Sequence, residues 1–245
     1  MESRAFIGDI HGCSDALRAL LALIGPRRVV SLGDVIHRGP DAEGCIALLR
    51  EIDADVLLGN HEDRHFGRLE RPQESEDWRW LQRKCTPYLR FRDHDVLAVH
   101  GGLHAGLSPE EHRKDAICRV ELTRPGARDR HSPRASWRRD PLGAPELHGG
   151  ESAEVRNGWR WWTEFLPPGS PVVVYGHAVM PAPLLTYQDG FRARHAFATD
   201  EPVARRELVA VGLDTGACLG GRLSALLLPE WRIVSVPGLV RQEPS

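Results

Sequence analysis

Five short words run in order along the chain: Gly8-Asp9-Ile10-His11-Gly12, Gly33-Asp34-Val35-Ile36-His37-Arg38-Gly39, Gly59-Asn60-His61-Glu62, Val99-His100-Gly101-Gly102 and Gly176-His177. Each sets a carboxylate, amide or imidazole beside glycine where an apolar run has just ended. Oxygen and nitrogen donors without sulfur suit Mn, Fe or Zn. Asp9 and His11 are two apart on a turn leaving a strand, so both reach one ion. Asp34 has two carboxylate oxygens and can bridge, and Asn60, His100 and His177 supply a second ion. Two ions about 3.5–4 Å apart hold a bridging water and lower its pKa, which makes hydroxide available near neutrality. The flanking glycines let backbone approach the ions without a Cβ clash. One such word alone occurs in ordinary turns. Five in order point to a two-metal hydrolytic site. His65, His94, His104, His112, His131, His148 and His195 lack such contexts and read as surface or core residues.

The elements that must carry these words follow from periodicity. Residues 4–7 and 28–32 are apolar, β-branched-rich runs that stop at Gly-Asp. Between them Ser14 reads as an N-cap, and Ala16, Leu17, Leu20, Leu21, Leu23 and Ile24 form a helical stripe closed by Gly25-Pro26. A second helix is expected from Asp41 to Glu51 and a third strand from Val56 to Leu58. The order β-α-β-α-β implies parallel strands covered on both faces, with ligands at their carboxyl ends. Residues 62–92 read as helical, with Trp78, Trp80 and Leu81 as buried anchors. Val96–Val99 and Val172–Tyr175 read as strands, and Trp159–Phe165 as a short helix. Residues 104–158, rich in Arg, Pro, Gly and His, read as an irregular insert or lid. The alternation in Leu223–Leu228 and Trp231–Val236 predicts antiparallel strands packed on the first sheet.

The 245 residues suffice for one domain, 1–245. A net charge of −2 gives no bulk basicity for nucleic acid or a membrane surface. All basic residues except Lys84 and Lys114 are arginine, which is read as genome composition. The 5 cysteines are scattered, without a C-x-x-C pair, and fit reduced thiols in the cytoplasm. No leader pattern and no span of about 20 apolar residues is seen.

With these motifs the chain resembles the calcineurin-like metallophosphoesterases. The branch is that of the phosphoprotein phosphatases, with motifs GDxHG, GDxxDRG, GNHE, HGG and GH. The run from Leu213 to Leu226 also echoes the symmetrical bis(5'-nucleosyl)-tetraphosphatases. The resemblance covers residues 5–103 and 172–237. It implies an α/β fold (α+β by its mixed sheets), a four-layer sandwich of two mixed β-sheets flanked by helices. It assigns Asp9, His11 and Asp34 to one metal, and Asp34, Asn60, His100 and His177 to the other, with manganese the leading expectation. It makes His61 the general acid and Arg38 the phosphate clamp, since guanidinium binds phosphate oxygens in pairs. The pattern departs at His37, where the branch has an aspartate that orients and charges the catalytic histidine. Neutral His37 could accept a hydrogen bond from His61 but would raise its pKa less than a carboxylate does, unless Asp41 or Asp63 substitutes, so lowered activity or a shift to better leaving groups such as nucleotide anhydrides is expected. It departs again at Leu58, where protein phosphatases carry arginine. Arg119, Arg138 or Arg160 could supply a second clamp.

The leading expectation is hydrolysis of phosphomonoesters, in a phosphoprotein or a small organic phosphate, by attack of a metal-bridging hydroxide. The alternatives are hydrolysis of symmetrical dinucleoside tetraphosphates and a degenerate, non-catalytic binding protein. The expected partner is a phosphorylated protein, small molecule or nucleotide. Trp159, Trp161 and Trp162 could form a stacking wall for a base, but packing into the core is preferred. The arginines of 113–139 could bind an anionic chain locally, though net charge gives a nucleic-acid role no support. Asp214-Thr215-Gly216 and Gly220-Gly221 read as a tight turn and hairpin near the metals.

Overall fold

The computed structural model describes residues 1–68, 75–123, 160–188 and 192–239. Strand β1 (Arg4–Ile7) leads through the first glycine word to α1 (Ser14–Ile24). Then come β2 (Arg28–Ser31), α2 (Ala42–Glu51), β3 (Asp55–Leu57) and α3 (Asn60–Phe66). Helix α4 (Glu76–Lys84) runs into β4 (Cys85–Thr86), followed by β5 (Tyr88–Phe91) and β6 (Val96–Val99). Helix α5 (Lys114–Ile117), β7 (Leu122–Thr123), β8 (Arg160–Trp161) and β9 (Val172–Tyr175) come next. The remaining strands are β10 (Leu184–Tyr187), β11 (Ala193–His195), β12 (Asp200–Pro202), β13 (Leu208–Gly212), β14 (Arg222–Leu228) and β15 (Arg232–Pro237).

The strands form two large mixed sheets, in the orders β12-β15-β14-β1-β2-β3-β4 and β11-β10-β13-β9-β6-β5, and a small pair β7-β8. Strands β1, β2, β3 and β4 are mutually parallel, as are β6, β9 and β13. Successive side chains on a strand point to opposite faces, and here both faces are buried. In β1, Ala5 and Ile7 pack with α1 and α2, while Phe6 faces the other sheet. In β6, Val96 and Ala98 face the first sheet, while Leu97 and Val99 face outward onto Ile117, Trp162 and Leu166. This is why the strands read as unbroken apolar runs. Four layers result: helices, sheet, sheet, and a cover of short elements that includes α5.

The structure corrects several expectations. Cys13, not Ser14, occupies the N-cap of α1, whereas Asp41 caps α2 through its side chain on the Gly44 N–H. The 62–92 run is not one helical region. It holds α3, α4 and the short strands β4 and β5, which pair with β3 and β6. The short helix expected over Trp159–Phe165 is a 3-10 helix confined to Trp162–Phe165, with Arg160–Trp161 in β8 before it. Strands β14 and β15 extend the first sheet beside β1, and do not pack upon it. Residues 124–159, most of the expected insert with Arg138 and Trp159, lie outside the described residues.

Candidate metal centre

Each expected ligand sits just past the carboxyl end of a parallel strand. Asp9 and His11 follow β1, Asp34 follows β2, and Asn60 follows β3. His100 and His177 come from the other sheet, after β6 and β9. The tight loops carry strain: His11 (φ 47), Asp34 (φ 50), His37 (φ 67), Arg38 (φ 67) and His177 (φ 64) are all left-handed. Such positions cost of order 1–3 kcal/mol each and cluster at functional sites. Close packing enforces the glycines as well. A Cβ on Gly59 would overlap Asp34, and one on Gly176 would overlap Asp9 Oδ1.

Two trios of donor atoms lie within 4.8 Å of one another, His11 with Asp34 and His61, and Asp34 with His100 and His177. Asp34 belongs to both. Its Oδ2 is 3.6 Å from His11 Nε2, and its Oδ1 is 3.5 Å from His100 Nε2. Asn60 Oδ1 lies 3.1 Å from His100 Nε2 and 2.9 Å from His177 Nδ1. Asp9 joins the same cluster from the side, its carboxylate accepting the His177 N–H at 3.1 Å. The carboxylate is buried against Asp214, whose Oδ1 accepts the Gly216 N–H in the expected tight turn.

The ring nitrogens on the far sides decide what these donors can hold. His11 Nδ1 faces Ile36 O at 3.2 Å, and His100 Nδ1 faces Leu32 O at 2.7 Å. His177 Nε2 faces Glu121 Oε1 at 3.4 Å. With the proton on the outer nitrogen, where a carbonyl or carboxylate oxygen can accept it, the inner nitrogen of a neutral ring is bare. The rings are neutral: burial, with Arg38 and His61 beside it, holds His11 down to about 3, and burial lowers His100 and His177 too. Lone pairs of three imidazoles and an amide oxygen can therefore converge on the Asp34 carboxyl group. Such a donor set fits divalent cations, and Asp34 lies where it could touch two.

The negative charge is concentrated. Burial, then Asp214 and Asp34, raises Asp9 well above its ordinary value, and burial raises Asp34 and Asp214. The sequence reading missed Glu62. It is fully buried, and its Oε2 accepts the N–H groups of Asp34 (2.8 Å) and Gly59 (3.2 Å). Its Oε1 accepts those of Val35 (2.9 Å) and Ile36 (3.1 Å). Glu62 thus fixes the loop that presents Asp34. Its position three residues into α3, reaching back to Gly59, is a capping-box signal that could have found it.

His61 Nε2 points toward Asp34 Oδ2 at 4.0 Å, and its Nδ1 faces His37 Nδ1 at 3.2 Å. Burial, with Arg38 and then His37, holds His61 down to about 3. Arg38 is exposed on its loop. Arg119 reaches the centre, 2.7 Å from Asp63 Oδ2 and 3.4 Å from the Asn60 carbonyl; Arg138 and the Arg160 side chain lie outside what the structure describes. Trp162 is packed edge-to-face on Tyr175, so it belongs to the core and not to a base-stacking wall. A cavity of about 290 Å³ between Leu103 and Pro167 includes none of the six ligands.

The sequence profile of the family described as Calcineurin-like phosphoesterase matches residues 4–214. Serine/threonine-protein phosphatase 1 of Salmonella typhimurium is 42% identical over 79 residues, which cover 31% of this chain and 35% of that one. The symmetrical bis(5'-nucleosyl)-tetraphosphatase of Acidovorax sp. is 35% identical over 130 residues, covering 43% of this chain and 46% of that protein. The chain thus spans less than half the length of these two relatives. The enzyme of that name from Shigella dysenteriae is 27% identical over 266 residues, covering 90% of this chain and 89% of its own length. The crystal structure of a proposed diadenosine tetraphosphatase superposes with a TM-score of 0.65 at 24% identity, over 98% of this chain and 95% of that chain. That of a metallophosphoesterase from Sphaerobacter thermophilus gives 0.57 at 16%, over 98% and 89%. Both show likeness of fold.

Proposed function

The chain belongs to the calcineurin-like phosphoesterase family, and from that premise we propose a two-cation hydrolase whose preferred substrates are phosphoric anhydrides of the dinucleoside polyphosphate type. The convergence of unprotonated donors on Asp34 carries the hydrolytic reading. When bound, two divalent ions supply Lewis acidity and an acidified water. Asp9, His11, Asp34, Asn60, His100 and His177 would hold them, and manganese, iron and zinc all suit this donor set. Arg38 clamps phosphoryl oxygens from its strained loop, and Arg119 is the second clamp, held beside Asn60 by Asp63. His61 gives a proton from Nε2 to the departing oxygen while His37 holds its other nitrogen.

Substrate preference follows from that last contact. An imidazole partner strengthens a proton donor less than a carboxylate would. Leaving groups that need little protonation, such as a nucleotide phosphate, are therefore favoured over alkyl phosphomonoesters. Similarity over nearly the whole length to the tetraphosphatases supports the same choice. Phosphomonoester hydrolysis is the second reading, supported by the shorter match to a serine/threonine phosphatase. In both, Arg119 and Glu121, from the described start of the expected lid, reach the site, and the five free thiols accord with a cytoplasmic setting. Among the described residues no helix is long and apolar enough to cross a membrane. The test is turnover of diadenosine tetraphosphate, p-nitrophenyl phosphate and a phosphopeptide with manganese. The anhydride should give the highest kcat/KM, and a phosphopeptide in first place would overturn the preference.

A further inference from the structure

A carboxylate beside His61 would act through its charge over a range of angles. An imidazole must instead present one nitrogen along one line, so His37 needs its ring held. The residue is itself left-handed (φ 67), a backbone state that strains a non-glycine residue. Its ring is half-buried, and its far side meets two aromatic groups in succession. His65, at the last turn of α3, lies edge-on to it with ring centroids 5.4 Å apart at 61°. Trp78, from α4, stacks on His65 at 4.7 Å and 26°. The file of rings Trp78, His65, His37 and His61 runs from α4 to the ligand cluster, and ends 3.2 Å from Nδ1 to Nδ1.

We propose that His65 and Trp78 are positioning residues for the proton donor, holding the His37 ring so that its Nδ1 stays on His61. The proposal deepens the hydrolytic reading and rests on it. Holding the ring keeps His37 Nδ1 on His61 Nδ1, and that contact favours one tautomer of the resting pair. With His37 protonated on Nδ1, that proton crosses to His61 Nδ1 as the His61 Nε2 proton passes to the leaving oxygen. His37 takes a replacement on Nε2 from water, and the hydroxide left behind is neutralised by buffer. Before the next turnover His61 takes a proton from water on Nε2, its Nδ1 proton returns to His37 Nδ1, and His37 gives its Nε2 proton to the hydroxide so formed. No ring becomes an anion. His65 contributes no proton to the transfer; its ring contact holds His37, and phenylalanine keeps a ring at that place.

The test compares H65A and H65F with the parent on 2,4-dinitrophenyl, p-nitrophenyl and phenyl phosphate, all with manganese. Proton donation is worth about 10²–10⁴-fold in rate, so partial loss of its alignment in H65A should lower kcat on phenyl phosphate by about tenfold. The dinitrophenyl ester, which leaves without help, should be nearly unaffected, and H65F should match the parent. Equal losses on all three esters in H65A, or an H65F as impaired as H65A, would overturn the proposal. Ring 15N spectra of the zinc-loaded full chain give a second readout. His37 should occupy one tautomer in the parent and in H65F, and average between two in H65A. A parent that turns over neither these esters nor diadenosine tetraphosphate sinks the hydrolytic reading, whereas an active parent with unchanged His37 signals in H65A sinks only the positioning role.

Discussion

Replacing Glu62 with glutamine keeps the side chain's size and removes its charge. The carboxylate accepts two backbone N–H groups on each oxygen, from Asp34 and Gly59 on one and from Val35 and Ile36 on the other. Glutamine keeps one acceptor oxygen and turns an NH2 group toward the other pair. Two buried donors lose their partner, and hydrogen bonds to charged groups are worth about 1.5–3 kcal/mol each, so E62Q should destabilise by roughly 3–6 kcal/mol. At about 2–4 °C per kcal/mol for a chain of this size, Tm should fall by about 6–24 °C. Because the loop carries Asp34, manganese affinity should also drop about 10–100-fold, the usual effect of losing a group that orients a ligand. Calorimetry at pH 8, with and without manganese, measures both. An E62Q protein that melts within about 2 °C of the parent and binds manganese equally well would refute the idea that Glu62 holds the loop.

The metal-free protein should melt highest near pH ~6 and lower on either side. Glu62, raised by burial to about 7, and Asp9, Asp34 and Asp214, also raised by burial, contribute stability that is full below the unfolded carboxyl pKa, near ~4, and lost as pH rises through the folded values. His11 and His61, held down to about 3, act in reverse, losing their contribution as pH falls below ~6.5. Manganese should abolish the alkaline fall because its ligands bind deprotonated; a Tm flat from pH 6 to 8 in EDTA would count against this. G176A should lose about 10–100-fold in manganese affinity by titration calorimetry with unchanged far-UV circular dichroism, since the added methyl displaces the Asp9 carboxylate. R38A should lower kcat/KM about 10- to 150-fold, the equivalent of ~1.5–3 kcal/mol of charge-assisted phosphate binding, while leaving manganese affinity intact.

The placement of the proposed ligands at strand ends was legible because the backbone announces it. Each donor stands at the first glycine-lined turn after an apolar run, and α/β sheets put their sites at that end of their strands. Helices α1 and α2 were legible through spaced leucines and, for α2, a capping aspartate. Strands β4 and β5 were not. They are short, their partners β3 and β6 are supplied by the fold, and the helical stripe around Trp80 and Leu81 masked them, although Pro87 marks the break. Glu62 hid inside a motif read for Asn60 and His61, since a carboxylate serving backbone N–H groups looks like one serving a metal. Glu121 and Arg119 come from a stretch without periodicity, and only tertiary folding shows that they meet His177 and Asp63.

Four of the six donors belong to the loops of one large sheet, and His100 and His177 to those of the other. Cations bound there would act as rivets through a laminate. Occupancy at 100 times the dissociation constant would add about 2.7 kcal/mol to the native state, and that gain would be spent on keeping two plies together. Chelation should therefore loosen the seam before it melts either ply, and amide exchange should quicken first at the edges nearest β6 and β9.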